Sequence, residues 1–221
     1  MTARWLPWER VDERAPLADR IAADAARAII EGAYPGGELI TEADLADAAQ
    51  VSRTPAREAM LQLQSWVLVR LVPKKGAIVT SPSRKERQDM LAFRTLIEID
   101  AVQAIARGEV DEAALREGID EALDRQRAAI ASGDSFAFAS ADYAFHAQLI
   151  RSGGNVVVER QLELLGPRIA RFTYLAITEN PARVPVLLDE HIELGRVARA
   201  GDAATYATLL RAHIAGGHFA A

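Results

Sequence analysis

Hydrophobic residues recur at the spacing of an α-helix over most of this chain. From residue 16 to 32, leucine, isoleucine and alanine return every three or four positions, and the pattern stops at Gly32. This pattern predicts one amphipathic helix that ends at the glycine. Thr41 is followed three residues later by Asp44, a pairing typical of a capping box, so a second, short helix is predicted through Ala49.

A third helix and a β-hairpin are predicted next. The helix begins at Ser52 or Thr54, where a hydroxyl group can cap it and Pro55 is tolerated in the first turn, and it fades near Trp66. Two short strands are then predicted in VLVRLV and AIVTS, which are rich in β-branched residues and joined by PKKG. Three helices followed by such a hairpin predict a winged helix-turn-helix.

From Ser83 onward only helical patterns occur. Ser83 and Glu86 form a second capping-box pairing, which begins a helix that runs to about Arg107. Glycines and prolines separate further helical segments at about 111–132, 135–152, 155–178, 184–200 and 202–216. The sequence therefore predicts a mainly α protein with a winged helix-turn-helix in residues 1–81 and an all-α antiparallel helical bundle in residues 82–221.

Composition excludes several classes of protein. Half of the residues are hydrophobic and 26% are charged, as in ordinary globular proteins. No apolar run approaches the length needed to span a bilayer, and the N-terminal MTARWLPWERVDERAP lacks the apolar core of a signal peptide. The chain has no cysteine, which excludes disulfides and thiolate metal sites. We therefore expect a cytoplasmic protein that does not enter a membrane.

Positive charge is concentrated in one segment of an acidic chain. Residues 50–85 hold seven basic side chains and a single acid, Glu58, and so carry a formal charge of +6. The whole chain carries −5, which leaves −11 for the remaining residues. Such a patch suits a polyanionic partner, although charge alone favours a solvated basic face.

Two arginines at the start of the third helix supply candidate chemistry. Arg53 and Arg57 are four residues apart and so leave one helix face, one turn apart. In a helix-turn-helix the second helix lies in the major groove with its N-terminal residues at the base edges, and arginine can bind guanine through two acceptors. Hydroxyl groups at the same helix end suit phosphate, and the lysine-rich hairpin can approach the DNA backbone or minor groove. The candidate DNA contacts are Ser52, Arg53, Thr54, Arg57, Lys74, Lys75 and Gly76.

This segment resembles the N-terminal domain of GntR-family transcription regulators. The resemblance covers about residues 16–81 and lies in PGGELITEADLADAAQVSRTPAREAMLQLQ followed by LVRLVPKKGAIV. It implies that Arg53, Thr54, Arg57 and Gly76 contact DNA. Because one winged helix covers a small footprint, we expect a homodimer that binds a palindromic double-stranded DNA operator.

Two positions depart from the family pattern. The family usually has glycine before the first wing strand, whereas this chain has Val67, so we expect a remodelled corner between helix and strand. Some members carry a base-reading arginine two residues before the leucine of the Glu-x-x-Leu-Ala helix. Ala43 stands there in this chain, which leaves fewer base contacts.

Histidines in the bundle form a second candidate site. Asp142 and His146 are four residues apart on one helix face, and His191 and His213 each lie in another helix with an apolar pattern. One histidine on an apolar face is normally a hydrogen-bonded core residue, whereas three histidines and an aspartate favour a divalent metal ion such as Zn²⁺, Ni²⁺ or Mn²⁺. The pattern by itself does not decide between the two. If the metal is present, neutral imidazoles bind it, so its affinity should fall as the pH drops through about 6.

A second resemblance favours the metal. Four segments resemble, in the same order, the FCD effector domain of the FadR-type GntR subfamily. They are FRTLIEIDAVQAIA, DYAFHAQLIRSGGN, EHIELGRVARAGD and LLRAHI. Many members bind a divalent metal through Asp-x-x-x-His and two later histidines. These positions correspond to Asp142, His146, His191 and His213, whereas His218 falls outside the pattern.

The same resemblance implies a small organic acid as effector. Four protein ligands leave open positions on an octahedral ion, where a carboxylate can coordinate. Arg94 matches a family arginine that faces this cavity, and a guanidinium suits a carboxylate. The alternative for Arg94 is a pair with Glu98 along its own helix. Asn155 matches the family's Gly-Asn corner and is expected either to contact the effector or to cap a helix.

These features predict a DNA-binding transcriptional regulator, not an enzyme, whose operator affinity is controlled by the effector. One alternative is a metal-dependent hydrolase, because open metal positions can activate water. The sequence shows neither a nucleophile motif nor a Gly-rich phosphate loop, which disfavours that class. The other alternative is a helical interaction module whose basic hairpin binds a partner protein rather than DNA.

Overall fold

The computed structural model describes residues 6–108 and 110–218, which form two compact units. The first holds residues 6–83 together with Glu163–Arg168, and the second holds Arg84–Leu162 and residues 169–218. No helix in the described ranges is both long and apolar enough to cross a membrane.

Residues 6–83 form a winged helix-turn-helix, as predicted. The elements are α1 (Pro7–Arg10), α2 (Leu17–Glu31), β1 (Leu39–Ile40), α3 (Glu42–Ala49), α4 (Arg53–Ser65), β2 (Val69–Val72) and β3 (Gly76–Val79). The strands form one antiparallel sheet in the order β1–β3–β2. The short helix α1 and the strand β1 were not predicted, and β1 extends the predicted hairpin to three strands.

Local signals fix the ends of the first helices. Gly32 ends α2 in the left-handed conformation with φ of +84°. The predicted capping box begins α3, since Thr41 N donates to Asp44 Oδ2 at 2.8 Å and Asp44 N donates to Thr41 Oγ1 at 3.1 Å. Ser52 occupies the N-cap position of α4, although its side chain makes no capping hydrogen bond. The buried core of this unit includes Ile21, Ile29, Ile40, Leu45, Met60, Leu63 and Val79.

The corner between α4 and β2 is not remodelled, contrary to the expectation from Val67. Val67 has φ of +55°, and its N donates to Gln64 O at 2.9 Å while Leu68 N donates to Leu63 O at 3.0 Å. These two hydrogen bonds form the Schellman ending that glycine usually provides. A β-branched residue in this conformation costs about 1–3 kcal/mol, so the surrounding structure imposes the turn on valine.

The second unit is a bundle of long helices, as predicted. They are α5 (Arg84–Ala106), α6 (Glu112–Ser132), α7 (Ser135–Ser152), α8 (Val156–Glu179), α9 (Arg183–Arg199) and α10 (Ala203–His218), and their ends agree with the predicted segments to within two residues. Thirteen of the eighteen residues of α7 are buried, which makes it the central helix. The polar residues Ser140, Asp142 and His146 of α7 therefore face other helices rather than solvent.

Candidate metal centre and nucleic-acid interface

Asp142, His146, His191 and His213 meet in the interior of the bundle. One potential ligand atom of each lies within 4.8 Å of those of the other three, and all four residues are buried. Asp142 and His146 come from the central helix α7, His191 from α9 and His213 from α10. The structure thus brings together all four residues that the sequence predicts as metal ligands.

The ligand atoms approach one another closely. His146 Nε2 lies 3.2 Å from His191 Nε2, and His191 Nε2 lies 3.4 Å from Asp142 Oδ1. The other oxygen of Asp142, Oδ2, accepts a hydrogen bond from Thr173 Oγ1 at 3.1 Å. This bond orients the carboxylate and leaves Oδ1 toward the histidines.

Each histidine is oriented by an acceptor at its other ring nitrogen. The Nδ1 atoms of His146, His191 and His213 lie 2.7, 2.8 and 2.7 Å from Glu98 Oε1, Gln126 Oε1 and Glu190 Oε2, respectively. An imidazole that donates through Nδ1–H keeps a lone pair on Nε2. Such outer-shell acceptors hold the histidines of metal sites in the ligating tautomer.

Burial dominates the electrostatics of the site. It raises the pKa of Glu98 to about 7 and also raises the pKa of Asp142, with the positive charge of Arg94 acting against both shifts. Burial lowers the pKa of His146 well below its ordinary value of 6.5. His146 is therefore neutral at pH 7, the form that binds a metal.

This donor set fits a divalent cation. Two ligands bonded to one ion at about 2.1 Å are about 3.0 to 3.4 Å apart for angles between octahedral and tetrahedral, and both measured separations lie in that range. A cation placed among these atoms would convert the repulsion of facing nitrogen lone pairs into coordination. It would also balance two buried carboxylates whose pKa values burial has raised.

Arg94 lies beside this cluster and is 1% exposed. Its Nε lies 3.8 Å from Glu98 Oε2, so the helix pair considered as an alternative exists as a long ion pair. None of its three guanidinium nitrogens has a hydrogen-bond partner among the described residues. Buried polar groups are nearly always hydrogen-bonded, and exceptions often mark a ligand site. The guanidinium is thus available to an anion that enters the bundle.

Asn155 caps a helix. It is exposed and occupies the N-cap of α8, where its Oδ1 accepts from Val157 N at 3.1 Å and from Val158 N at 3.2 Å. Of the two roles expected from the sequence, this is the one that the structure displays, and contact with an effector stays a prediction.

Most of the groups that hydrogen-bond to the candidate metal ligands, or to Glu98 beside them, were not predicted from the sequence. Glu98 was considered only as a partner of Arg94, although an acid within the apolar pattern of LIEID was a signal of a buried role. The others are scattered polar residues in ordinary helices, with no local pattern to mark them. The missed residues are Glu98, Gln126, Thr173, Glu190 and Tyr206.

Five of the seven predicted DNA contacts line one cleft of the winged helix unit. Arg53 and Arg57 on α4 line it from one side, and Lys74, Lys75 and Gly76 line it from the wing, around a volume of about 650 Å³. The beginning of α3 completes the cleft with Thr41, Glu42 and Ala43. Both arginines are exposed, whereas Ala56, Ala59, Met60 and Leu63 of the same helix are buried in the core.

Ser52 and Thr54 lie outside the set of residues that line the cleft, although both are exposed at the start of α4. Their predicted phosphate contacts stay predictions. Gly76 is the first residue of β3 and pairs with Val72, so the hairpin loop consists of Pro73, Lys74 and Lys75. A Cβ atom on Gly76 would lie 2.3 Å from Ile40 O, so packing within the sheet already requires glycine here. The DNA contact of Gly76 stays a prediction.

Comparison with protein families identifies the chain. Residues 17–79 match the model of the bacterial regulatory proteins of the gntR family, and residues 89–216 match that of the FCD domain. The chain belongs to the GntR family and carries an FCD domain. The GntR and FCD matches confirm the predicted fold class and the prediction of a DNA-binding transcriptional regulator rather than an enzyme.

Relatives of this GntR protein include two repressors. The gluconate operon transcriptional repressor of Bacillus licheniformis is 31% identical over 139 residues, which cover 63% of this chain and 56% of the relative. The protein of the same name from Bacillus subtilis strain 168 is 25% identical over 175 residues, covering 79% and 68%. The first match thus spans little more than half of that relative.

A solved structure of a GntR protein from Rhodococcus sp. RHA1 shares the fold. Its TM-score is 0.74 at 23% identity, with 89% of this chain and 93% of that chain covered. At this identity the likeness concerns the fold alone.

Proposed function

We propose that this GntR regulator binds a palindromic DNA operator as a homodimer, and that a small carboxylate effector beside a divalent metal ion controls its operator affinity. Residues 1–81 act as the DNA-binding domain, and residues 82–221 bind the effector and dimerise. The protein belongs to the FadR-type subfamily and works in the cytoplasm, where its operator lies. The carrying observation is the buried guanidinium of Arg94, which has no hydrogen-bond partner among the described residues and lies beside three histidines and an aspartate.

The cleft between α4 and the wing binds the operator. Arg53 and Arg57 are exposed, whereas Ala56, Ala59 and Leu63 of the same helix are buried, so the arginines can enter the major groove while the core holds α4 in place. Lys74 and Lys75 border the same cleft and contact phosphates. The charge of +6 on residues 50–85 supports such a partner within an acidic protein.

Asp142, His146, His191 and His213 would hold the ion, which is Zn²⁺, Ni²⁺ or Mn²⁺. Three imidazoles and one carboxylate are ligands that all three metals accept. When bound, the ion supplies a Lewis acid that attracts a carboxylate oxygen of the effector. The histidines, the aspartate and their hydrogen-bonded acceptors orient that position within the bundle.

Arg94 binds the effector carboxylate. A guanidinium offers paired N–H donors that match the two oxygens of a carboxylate, and those of Arg94 have no other hydrogen-bond partner among the described residues. Two relatives are named repressors of gluconate operons, and gluconate is a carboxylate. A carboxylic acid of small size is therefore the class of effector that we assign.

The proposed function is tested by measuring operator affinity in the presence of a panel of organic acids. An operator is first selected from genomic fragments with the metal-loaded protein. At least one acid should change the operator Kd of wild type by tenfold or more. The Arg94→Met variant should still bind the metal but should no longer show this change. Lys85→Met removes an exposed positive charge from the same helix and should respond as wild type does. If Arg94→Met responds to the acids as wild type does, Arg94 does not bind the effector.

The homodimer should form through exposed apolar residues of α5. Leu96 is 69% exposed, and Phe93, three residues earlier, is 38% exposed. Neighbouring large apolar side chains at a surface favour a protein interface. We expect wild type to be dimeric at micromolar concentration and Leu96→Asp to be monomeric, as measured by analytical ultracentrifugation.

The matched control for this substitution is Val186→Asp. Val186 lies on α9 and is 41% exposed, so the change adds a charge to an apolar surface position of a different helix. This variant should stay dimeric. A dimeric Leu96→Asp would exclude this face of α5 as the interface, and a wild type that is monomeric with and without DNA would contradict the homodimer itself.

A further inference from the structure

Glu98 is a second buried group beside Arg94 whose hydrogen bonds are incomplete. Its Oε1 lies 2.7 Å from His146 Nδ1 and also accepts from the Tyr206 hydroxyl. Its Oε2 has no hydrogen-bond partner among the described residues, although the side chain is 0% exposed. Arg94 Nε is 3.8 Å away, which is too far for a hydrogen bond.

These free atoms specify complementary groups on a ligand. Arg94 has unpaired donors and needs an acceptor, whereas Glu98 Oε2 is an unpaired acceptor and needs a donor. A buried polar atom left without a partner loses its hydration without compensation. A ligand that satisfies both residues must therefore carry a carboxylate and a hydrogen-bond donor close to it.

We propose that Glu98 Oε2 accepts a hydrogen bond from a hydroxyl group of the effector while Arg94 binds the effector carboxylate, so that the effector is a hydroxycarboxylic acid. This inference rests on the proposed function, because it takes a carboxylate effector at Arg94 as its starting point. Glu98 then acts as a specificity-determining residue in addition to orienting His146.

Other small acids fit the same atoms less well. A simple carboxylic acid satisfies Arg94 but leaves Glu98 Oε2 unpaired. A 2-oxo acid presents a carbonyl oxygen, which is a second acceptor, to Oε2. An amino acid offers an ammonium donor that Glu98 attracts, but the Arg94 guanidinium and the proposed divalent cation both repel this positive charge.

Glu190 is a second carboxylate that supports a histidine, and it differs from Glu98 in having both oxygens hydrogen-bonded. It supports a histidine in the same way, because its Oε2 lies 2.7 Å from His213 Nδ1. Its Oε1, however, accepts from Arg183 Nη2 at 2.9 Å. Both oxygens of Glu190 are thus engaged, and Glu190→Gln becomes a matched control that alters a histidine-supporting carboxylate without touching the proposed hydroxyl site.

The test measures Kd by titration calorimetry on full-length, Zn²⁺-loaded protein. The ligands are lactate, pyruvate, propionate and alanine as one set, and gluconate, 2-ketogluconate and hexanoate as another. All titrations are made in one buffer at pH 8, so that the ligands are compared under identical conditions. Within at least one set the hydroxy acid should bind roughly tenfold or more tightly than every other member, the effect of one hydrogen bond to a charged group.

Glu98→Gln should invert the preference between hydroxy and oxo acids. His146 and Tyr206 donate to Oε1, so the carboxamide oxygen keeps that position and the NH₂ group replaces Oε2. The variant then donates where wild type accepts, which favours the oxo acid, whereas Glu190→Gln should keep the wild-type order. A circular dichroism melt shows whether each variant is folded, and the wild-type series tests the inference even if Glu98→Gln does not fold.

Several results would overturn the inference. If wild type binds acids but the hydroxy acid has no advantage over its oxo and simple partners, or if alanine binds best, the hydroxyl assignment is wrong while the carboxylate effector stands. If Glu98→Gln folds and keeps the wild-type order, Glu98 does not read the hydroxyl. If wild type binds no acid of either set, the proposed effector class fails and this inference fails with it.

Discussion

Wild-type protein purified without a histidine tag is expected to contain one divalent ion per chain, and a chelator should lower its melting temperature by roughly 10 °C. The ion would connect α7, α9 and α10 through ligand atoms that lie within 4.8 Å of one another. A ligand that binds only the native state stabilises it by about 4 kcal/mol when the free ligand concentration is 1,000 times the Kd. Elemental analysis gives the metal content, and calorimetric melts with and without chelator give the shift.

The variant that tests this site is the double substitution His146→Ala, His191→Ala. It removes two ligands whose Nε2 atoms are 3.2 Å apart and should abolish both the bound metal and the response to chelator. Because two buried side chains are also lost, the comparison is made on the chelator-induced shift within each variant rather than on melting temperature itself. His218→Ala, a change at the histidine outside the ligand pattern, should keep the metal. Equal metal content and equal shifts in wild type and the double variant would exclude a metal at this site.

Arg57→Ala is expected to remove operator selectivity, whereas Lys75→Ala should weaken binding to all sequences by a similar factor. An arginine bound to a guanine edge discriminates against the wrong base by about 1–3 kcal/mol, or roughly 5- to 150-fold. The slope of log K against log salt concentration is negative, and each lost phosphate contact makes it less steep by about 0.9. Arg57 is exposed on α4 at the cleft, and Lys75 lies in the hairpin loop that borders it.

The measurement is affinity for a selected operator and for single-base variants of it, each over a range of salt concentrations. Arg70→Ala is the matched control, because Arg70 is an exposed arginine of strand β2 that lies outside the set of residues lining the cleft. It should keep full selectivity. If Arg57→Ala discriminates between operator variants as wild type does, α4 does not read bases through this arginine.

Element boundaries were predictable because their signals are local. The capping box of Thr41 and Asp44 spans three residues, and both hydrogen bonds that it predicts are present. Gly32 ends α2 for a reason confined to its own backbone conformation. The expectation of a remodelled corner at Val67 was wrong. The hydrogen bonds of Val67 and Leu68 hold valine in a backbone conformation that its β-branched side chain disfavours.

The sequence by itself determined the fold class and the identities of the candidate ligands. Asp142 and His146 share a helix face because four residues make about one turn, and the later histidines lie within predicted helices. The spacing of Arg53 and Arg57 placed them on one face of α4 in the same way. Both shared faces depend on residues four apart, a distance over which backbone geometry fixes side-chain direction. The set of four ligands, by contrast, was indicated by the resemblance to the FCD domain over several segments of the chain.

Only the tertiary structure decided how these residues meet and what supports them. Glu98 is 48 residues from His146 and 108 from Tyr206, yet it binds both, and Gln126 is 65 residues from the histidine that it orients. No local pattern encodes such pairs, because they depend on the packing of helices far apart in the chain. Among the described residues, Glu98 Oε2 and the Arg94 guanidinium lack hydrogen-bond partners, and this too depends on tertiary packing, which buries both side chains.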